Sequence, residues 1–149
     1  MKLQLAGPIQ DAEYFRALIE PELDEDISYL GHLDQQKLRR LITSAQVFIS
    51  SPLWEEPFGL TTLEAMACGT PVATLPSGAM AELVGATGGV VAADRGSEAL
   101  ARAATEAKNM DRARVFARAG EFTLSAMIAQ YENVLQSMIS EPHSLALKK

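Results

Sequence analysis

The sequence predicts an α/β fold: a Rossmann-like parallel sheet with helices on both faces. Three observations point to it. Short apolar runs alternate with helical patterns along the 149 residues. The segments between them are short, as successive strand and helix units require. The third run, Val47-Phe48-Ile49, lacks polar alternation, as expected of a strand covered on both sides.

Residues 2–6 read as a strand closed by Gly7-Pro8. Asp11 caps a helix whose Tyr14, Phe15, Leu18 and Ile19 share a face, with Pro21 beyond its end. Residues 27–30 form a second strand, and Asp34 caps a helix carrying Leu38, Leu41 and Ile42. Residues 47–49 are the third strand, followed by a helix that ends at Gly69. Residues 71–75 make a fourth strand, 80–84 a short helix and 89–92 a fifth strand. The rest is helical. Ser97 caps a segment with Leu100, Ala103, Ala104 and Ala107 on one face; Asp111 caps another that Gly120 ends. Thr123 caps the last, with Phe122 placed to staple onto Met127 and Ile128, Tyr131, Val134, Leu135 and Met138 following. Residues 1–140 read as one domain and 141–149 as a flexible tail.

Composition excludes several classes. A chain that is 48% hydrophobic and 21% charged has the balance of a globular domain, not of a disordered one. No apolar run approaches the roughly 18 residues that span a bilayer. The alternating start stops at Gly7-Pro8, so it is no signal-peptide core. A net charge of -6 disfavours nucleic acid, whose phosphates need clustered cations. The basic cluster Lys108, Arg112, Arg114 and Arg118 is balanced by Glu106, Asp111 and Glu121 and reads as a solvated helix face. Cys68 is the only cysteine. That rules out an intrachain disulfide and a cysteine-built metal cluster, and suits the cytoplasm. Cys68 follows an apolar pattern and reads as a packed core thiol.

Chemistry concentrates in one stretch. Between Glu56 and Glu64 lie Pro57-Phe58-Gly59-Leu60-Thr61-Thr62-Leu63. The loop that carries Glu56 leaves the third strand at its carboxyl end, where open α/β sheets bind ligands. Thr61 stands three residues before Glu64, a capping-box spacing that starts the helix at Thr61 with Glu64 in its first turn. Phe58, Gly59 and Leu60 then offer N–H groups at the positive end of a helix, which suits a diphosphate or a sugar hydroxyl. Gly59 allows close approach. Glu64 can accept two hydrogen bonds from a ribose diol, and Glu56 can reach hydroxyls on a sugar or its acceptor. A plainer reading stands beside this one: Glu64 is only a cap, and Glu55-Glu56 only a polar loop. Spacing alone leaves both open.

The wider stretch says more. Trp54-Glu55-Glu56-Pro57-Phe58-Gly59-Leu60, followed by Glu64-Ala65-Met66-Ala67-Cys68-Gly69-Thr70-Pro71-Val72, resembles the signature of glycosyltransferase family 4, retaining enzymes of the GT-B fold. The likeness covers nearly the whole chain. Leu5-Ala6-Gly7-Pro8 resembles the family's second C-domain strand, residues 27–31 the strand before its base-binding loop, and 45–51 the strand into the motif. Gly78-Ala79 with Glu82 resembles its small-residue loop, and residues 122–131 its closing helix. The resemblance implies the donor-binding, C-terminal domain of a GT-B enzyme, one that moves a sugar from a nucleotide-diphosphate sugar (UDP-sugar foremost) to an acceptor. It implies no metal and no further cofactor. Glu56 would bind the donor sugar and assist transfer, the amides of Phe58, Gly59 and Leu60 would meet sugar and phosphate, and Glu64 would hold the ribose. The loop with Gly31 and Leu33 would contact the base through its backbone. His32 reads as a surface loop histidine, and Glu82 as serving its own helix N-terminus.

One part of the family pattern is unmatched. A diphosphate leaving group needs cationic partners as charge develops on it. The family places an Arg and a Lys after its first C-domain strand, whereas the likeness here opens at the second, with Lys2 the one basic residue nearby. The expectation is an incomplete C-terminal domain, inactive alone, completed by a missing N-terminal domain, a partner chain or a second copy. The alternative is a non-catalytic binding or assembly module with a degenerate nucleotide-sugar site, pairing through an open sheet edge.

Overall fold

Among the described residues of the computed structural model every strand is three residues long, so the fold depends on what the intervening helices bury. The structure describes residues 2–140, and the chain divides into two units after Ala45.

In the first unit, β1 (Leu3–Leu5) and β2 (Ile27–Tyr29) pair in parallel with Leu3 opposite Ile27 and Leu5 opposite Tyr29. Leu3 and Leu5 are half-buried and Gln4 is exposed, the alternation of a strand covered on one face. Asp11 caps as expected, accepting from the Glu13 and Tyr14 amides at 2.9 Å. The helix it starts is not regular. A single α turn, α1 (Ala12–Tyr14), passes into a π turn over Phe15–Ile19 and a 3-10 turn over Glu20–Glu22. Pro21 lies inside that last turn rather than past the helix. Having no N–H, it cannot extend an i→i−4 ladder, but it fits the start of a fresh turn. Of the four residues expected on one face, Phe15 and Ile19 are half-buried, while Tyr14 and Leu18 are exposed. Phe15 packs on Tyr29 with ring centroids 4.8 Å apart, and the Tyr29 hydroxyl donates to the Gly7 carbonyl at 2.6 Å. Asp34 caps α2 (Gln35–Ser44) through the Lys37 amide at 2.8 Å, and Ile42 is its buried residue.

In the second unit, β3 (Phe48–Ser50), β4 (Val72–Thr74) and β5 (Gly89–Val91) form a parallel sheet with β4 in the centre. The five expected strands thus fall into two hydrogen-bonded parallel sets. Helices cover both faces of the three-stranded one. On one side, Ala73 and Leu75 meet Ala99, Ala103, Ala104 and Ala107 of α5 (Ser97–Ala107). Alanines on that face leave room for a backbone to approach closely. Gly96, not Ser97, is the α5 N-cap. On the other side, α3 (Leu60–Ala67) touches β3 and β4 and packs on α6 (Arg112–Ala119), while α4 (Met80–Val84) lies on β5.

Gly69, at φ 69°, ends α3 in a Schellman turn, with the Thr70 amide on the Ala65 carbonyl at 3.0 Å. Cys68 is therefore a half-buried helix cap and not the packed core thiol expected of it. Of the basic cluster, Lys108, Arg112 and Arg114 are exposed, as a solvated face requires, but two of its arginines also make specific contacts. Arg112 donates to the Thr70 hydroxyl at 3.0 Å. Arg118 lies over the Phe122 ring, 4.8 Å from its centroid, donates to the Leu83 carbonyl at 3.2 Å and pairs with Glu121. These two arginines thus also brace α3, α4 and α6. Thr123 caps α7 (Leu124–Ser140), accepting from the Ala126 amide at 3.1 Å. The apolar residues of α7 from Met127 to Met138 are exposed, so this helix adds little to the core. The tail expected at 141–149 lies outside the described residues.

Candidate functional site

Three loops leave the carboxyl ends of β3, β4 and β5, at residues 51–59, 75–79 and 92–96, and they fasten to one another. The first carries Glu56. Its amide donates to the Ser77 hydroxyl at 3.4 Å, and its carbonyl accepts from the Ala79 amide at 2.9 Å. Buried Ser77 in turn donates to the Trp54 carbonyl. The approach is close enough to require glycine. A Cβ on Gly78, whose φ is +51°, would stand 2.2 Å from the Glu56 carbonyl oxygen.

Glu55 is no idle loop residue. One of its oxygens accepts from the Gly78 amide at 2.6 Å, and the other pairs with Arg95. The Gly78 amide first, and the Arg95 guanidinium beside it, hold the Glu55 carboxyl below its ordinary range. A depressed pKa means that the folded state favours the charged form, so the contacts stand at neutral pH and weaken only as pH falls below that range. A carbon-detected titration of the Glu55 carboxyl checks this. A midpoint at or above the usual ~4.3 of glutamate would contradict it.

The Glu56 carboxylate is itself held. One oxygen accepts from the Gly59 amide at 3.0 Å and the other from the Trp54 indole at 2.9 Å. A carboxylate offers about four acceptor positions, so about two remain for hydroxyls.

The start of α3 differs from the expected capping box. Gly59, at φ 88° and ψ 56°, is the N-cap, and the helix begins at Leu60. A left-handed N-cap suits glycine, and it moves the start ahead of Thr61. Glu64 therefore lies beyond the first turn. Its carboxylate is exposed and has no partner among the described residues. The reading of Glu64 as a cap is thereby removed. The Gly59 amide is taken by Glu56, whereas the Phe58 and Leu60 amides have no acceptor among the described residues. Free N–H groups at a helix start carry its positive end. A cleft of about 690 Å³ is lined in part by Phe58, Leu60, Glu82, Arg118, Phe122 and Met127, while neither Glu56 nor Glu64 lines it. Its size is ordinary for a small-molecule site.

Gly31 and Leu33 follow β2 in the first unit. Gly31 has φ 72°, accepts from the Gly7 amide at 3.0 Å, and has open space where a side chain would stand. Leu33 is half-buried and His32 exposed. Glu82 sits in the first turn of α4, its side chain without a hydrogen bond among the described residues. Among those residues no three His, Cys, Asp or Glu side chains group as metal ligands, and no helix is long and apolar enough to cross a membrane. Sequence reasoning gave no role to Trp54, Ser77 or Arg95. Arg95 lies forty residues from Glu55, too far for any spacing pattern, and the available signal was that each loop follows a strand's carboxyl end.

Comparison with known proteins is consistent with this arrangement. Residues 1–109 match the family described as Glycosyl transferases group 1. The D-inositol 3-phosphate glycosyltransferase of Mycobacterium avium is 35% identical over 140 residues, covering 84% of this chain and 32% of the relative. The lipopolysaccharide core biosynthesis mannosyltransferase LpcC of Rhizobium leguminosarum bv. viciae is 46% identical over 85 residues, covering 54% and 22%. The chain thus spans between 22% and 32% of the length of these two. Among solved structures, AviGT4, a glycosyltransferase involved in avilamycin A biosynthesis, superposes with a TM-score of 0.71 at 25% identity, over 89% of this chain and 41% of that one. Anabaena HepE in complex with UDP-glucose superposes at 0.73 and 23% identity, over 91% and 41%, a likeness of fold.

Proposed function

The chain belongs to the group 1 glycosyl transferases, and from that membership we propose that it forms the C-terminal, donor-binding part of a retaining GT-B enzyme of family 4. The donor is a nucleotide sugar, UDP-sugar foremost, and the acceptor is bound by another domain. The observation that carries this reading is the Glu64 carboxylate, without a partner among the described residues, on a helix at whose start the Phe58 and Leu60 amides have no acceptor among those residues. Glu64 accepts from the ribose diol. The helix start takes part of the diphosphate charge that grows as the leaving group departs. Glu56, fixed by Gly59 and Trp54, turns its remaining acceptor positions to the sugar hydroxyls. HepE, of the same fold, holds UDP-glucose, which supports this donor class. A lone cysteine fits a reducing, cytoplasmic setting.

Calorimetry on the 149-residue chain tests the assignment. Glu56→Gln should weaken UDP-glucose about tenfold, the effect of losing one or two charge-assisted hydrogen bonds, and leave UDP within about twofold. If wild type binds neither ligand, the donor-site reading fails and a non-catalytic module is left standing.

A further inference from the structure

Arg95 belongs to no motif, yet its guanidinium reaches three acceptors in the two neighbouring loops. Nη1 donates to the Leu53 carbonyl at 3.2 Å, Nε to the Pro76 carbonyl at 3.4 Å, and Nη2 pairs with Glu55. Leu53 and Glu55 flank Trp54, whose indole donates to Glu56 at 2.9 Å. The Trp54 side chain is itself 65% exposed, so little packing fixes its direction. An exposed ion pair such as Glu55–Arg95 contributes little by itself. Here the same planar fork also binds two backbone carbonyls, one in the β3 loop and one in the β4 loop. The residues on both sides of Trp54 are thereby held, and the Gly78 amide braces Glu55 from its other oxygen.

We propose that Arg95 is a positioning residue for Glu56: by gripping Leu53 and Glu55 it aims the Trp54 indole at the Glu56 carboxylate. The donor-sugar role of Glu56 rests on the function proposed above; the grip on Trp54 does not. The predicted consequence is that Glu56 loses its orientation without Arg95, while the ribose-binding Glu64, on a separate element, is unaffected. A lysine cannot replace the arginine, because an ammonium lacks the planar fork that reaches all three acceptors.

Trp54 is the only tryptophan, so one indole N–H signal reports the contact without any ligand. In Arg95→Ala and Arg95→Lys, hydrogen exchange of that indole N–H should quicken about tenfold or more, while the β4 amides of Val72–Thr74 keep wild-type protection. UDP-glucose should weaken to the level of Glu56→Gln, with UDP within about twofold of wild type. An indole that exchanges at the wild-type rate in either variant overturns the proposal. So does an equal weakening of UDP and UDP-glucose, the mark of a merely structural role. Should Arg95→Ala also raise β4 exchange, Arg95→Lys decides the matter alone. If wild type shows no Glu56-dependent sugar binding, the functional reading fails, and the indole measurement still decides whether Arg95 positions Trp54.

Discussion

Gly78→Val is expected to cost about 2–4 kcal/mol of folding free energy, the sum of backbone strain and overpacking. Gly78 has φ +51°, a conformation that a β-branched residue adopts only under strain. Its added Cβ would stand 2.2 Å from the Glu56 oxygen, 2.7 Å from the Glu56 nitrogen and 2.8 Å from its carbonyl carbon. All three are backbone atoms, so no side chain can rotate aside. The β3 and β4 loops must separate, with loss of the Ala79–Glu56 bond and of the Gly78 amide on Glu55. Gly59→Ala is the internal comparison. Its Cβ would meet the terminal methyl of buried Met80 at 2.2 Å and the Leu83 Cδ2 at 3.2 Å, side-chain ends that can shift where a backbone cannot, which adds a smaller repacking cost to the strain of φ +88°. Urea denaturation of both variants checks the order. A smaller loss for Gly78→Val than for Gly59→Ala would show that the two loops are not in register as described.

The parts of this fold that were legible in sequence are those decided locally. Asp34, Asp111 and Thr123 cap the helices expected of them, because a cap needs only a side chain within three residues of a free amide. The placing of Glu56 after the third strand also followed from sequence, since the carboxyl-end rule needs only the order of elements. The start of α3 did not. Thr61 and Glu64 have the spacing of a capping box, but nothing in a residue string shows that Gly59 adopts a left-handed backbone and begins the helix first. Pro21 misled in the opposite way, marking the end of a ladder that had already turned irregular at Phe15. The exposed loop around Glu55 looked featureless because its partners come from residues 78 and 95, brought near by the parallel sheet and by no local periodicity.

Glu64→Gln is expected to separate binding from stability without ambiguity. Because Gly59 caps α3 and the Glu64 carboxylate has no partner among the described residues, neutralising it should change stability by less than about 0.5 kcal/mol. A carboxylate that accepts both hydroxyls of a ribose diol makes charge-assisted hydrogen bonds, and its amide analogue forfeits their ionic character. UDP should therefore weaken by roughly 1.5–3 kcal/mol, about tenfold to more than a hundredfold. The exposure of Glu64 argues for the lower end, since the group is hydrated before the ligand arrives. A UDP analogue with 2′,3′-dideoxyribose supplies the control. Lacking the diol, it should bind wild type and Glu64→Gln equally poorly, because no hydroxyl is left for either side chain to hold. If the analogue binds wild type as tightly as UDP does, the ribose is held elsewhere and the exposed carboxylate on α3 has another task.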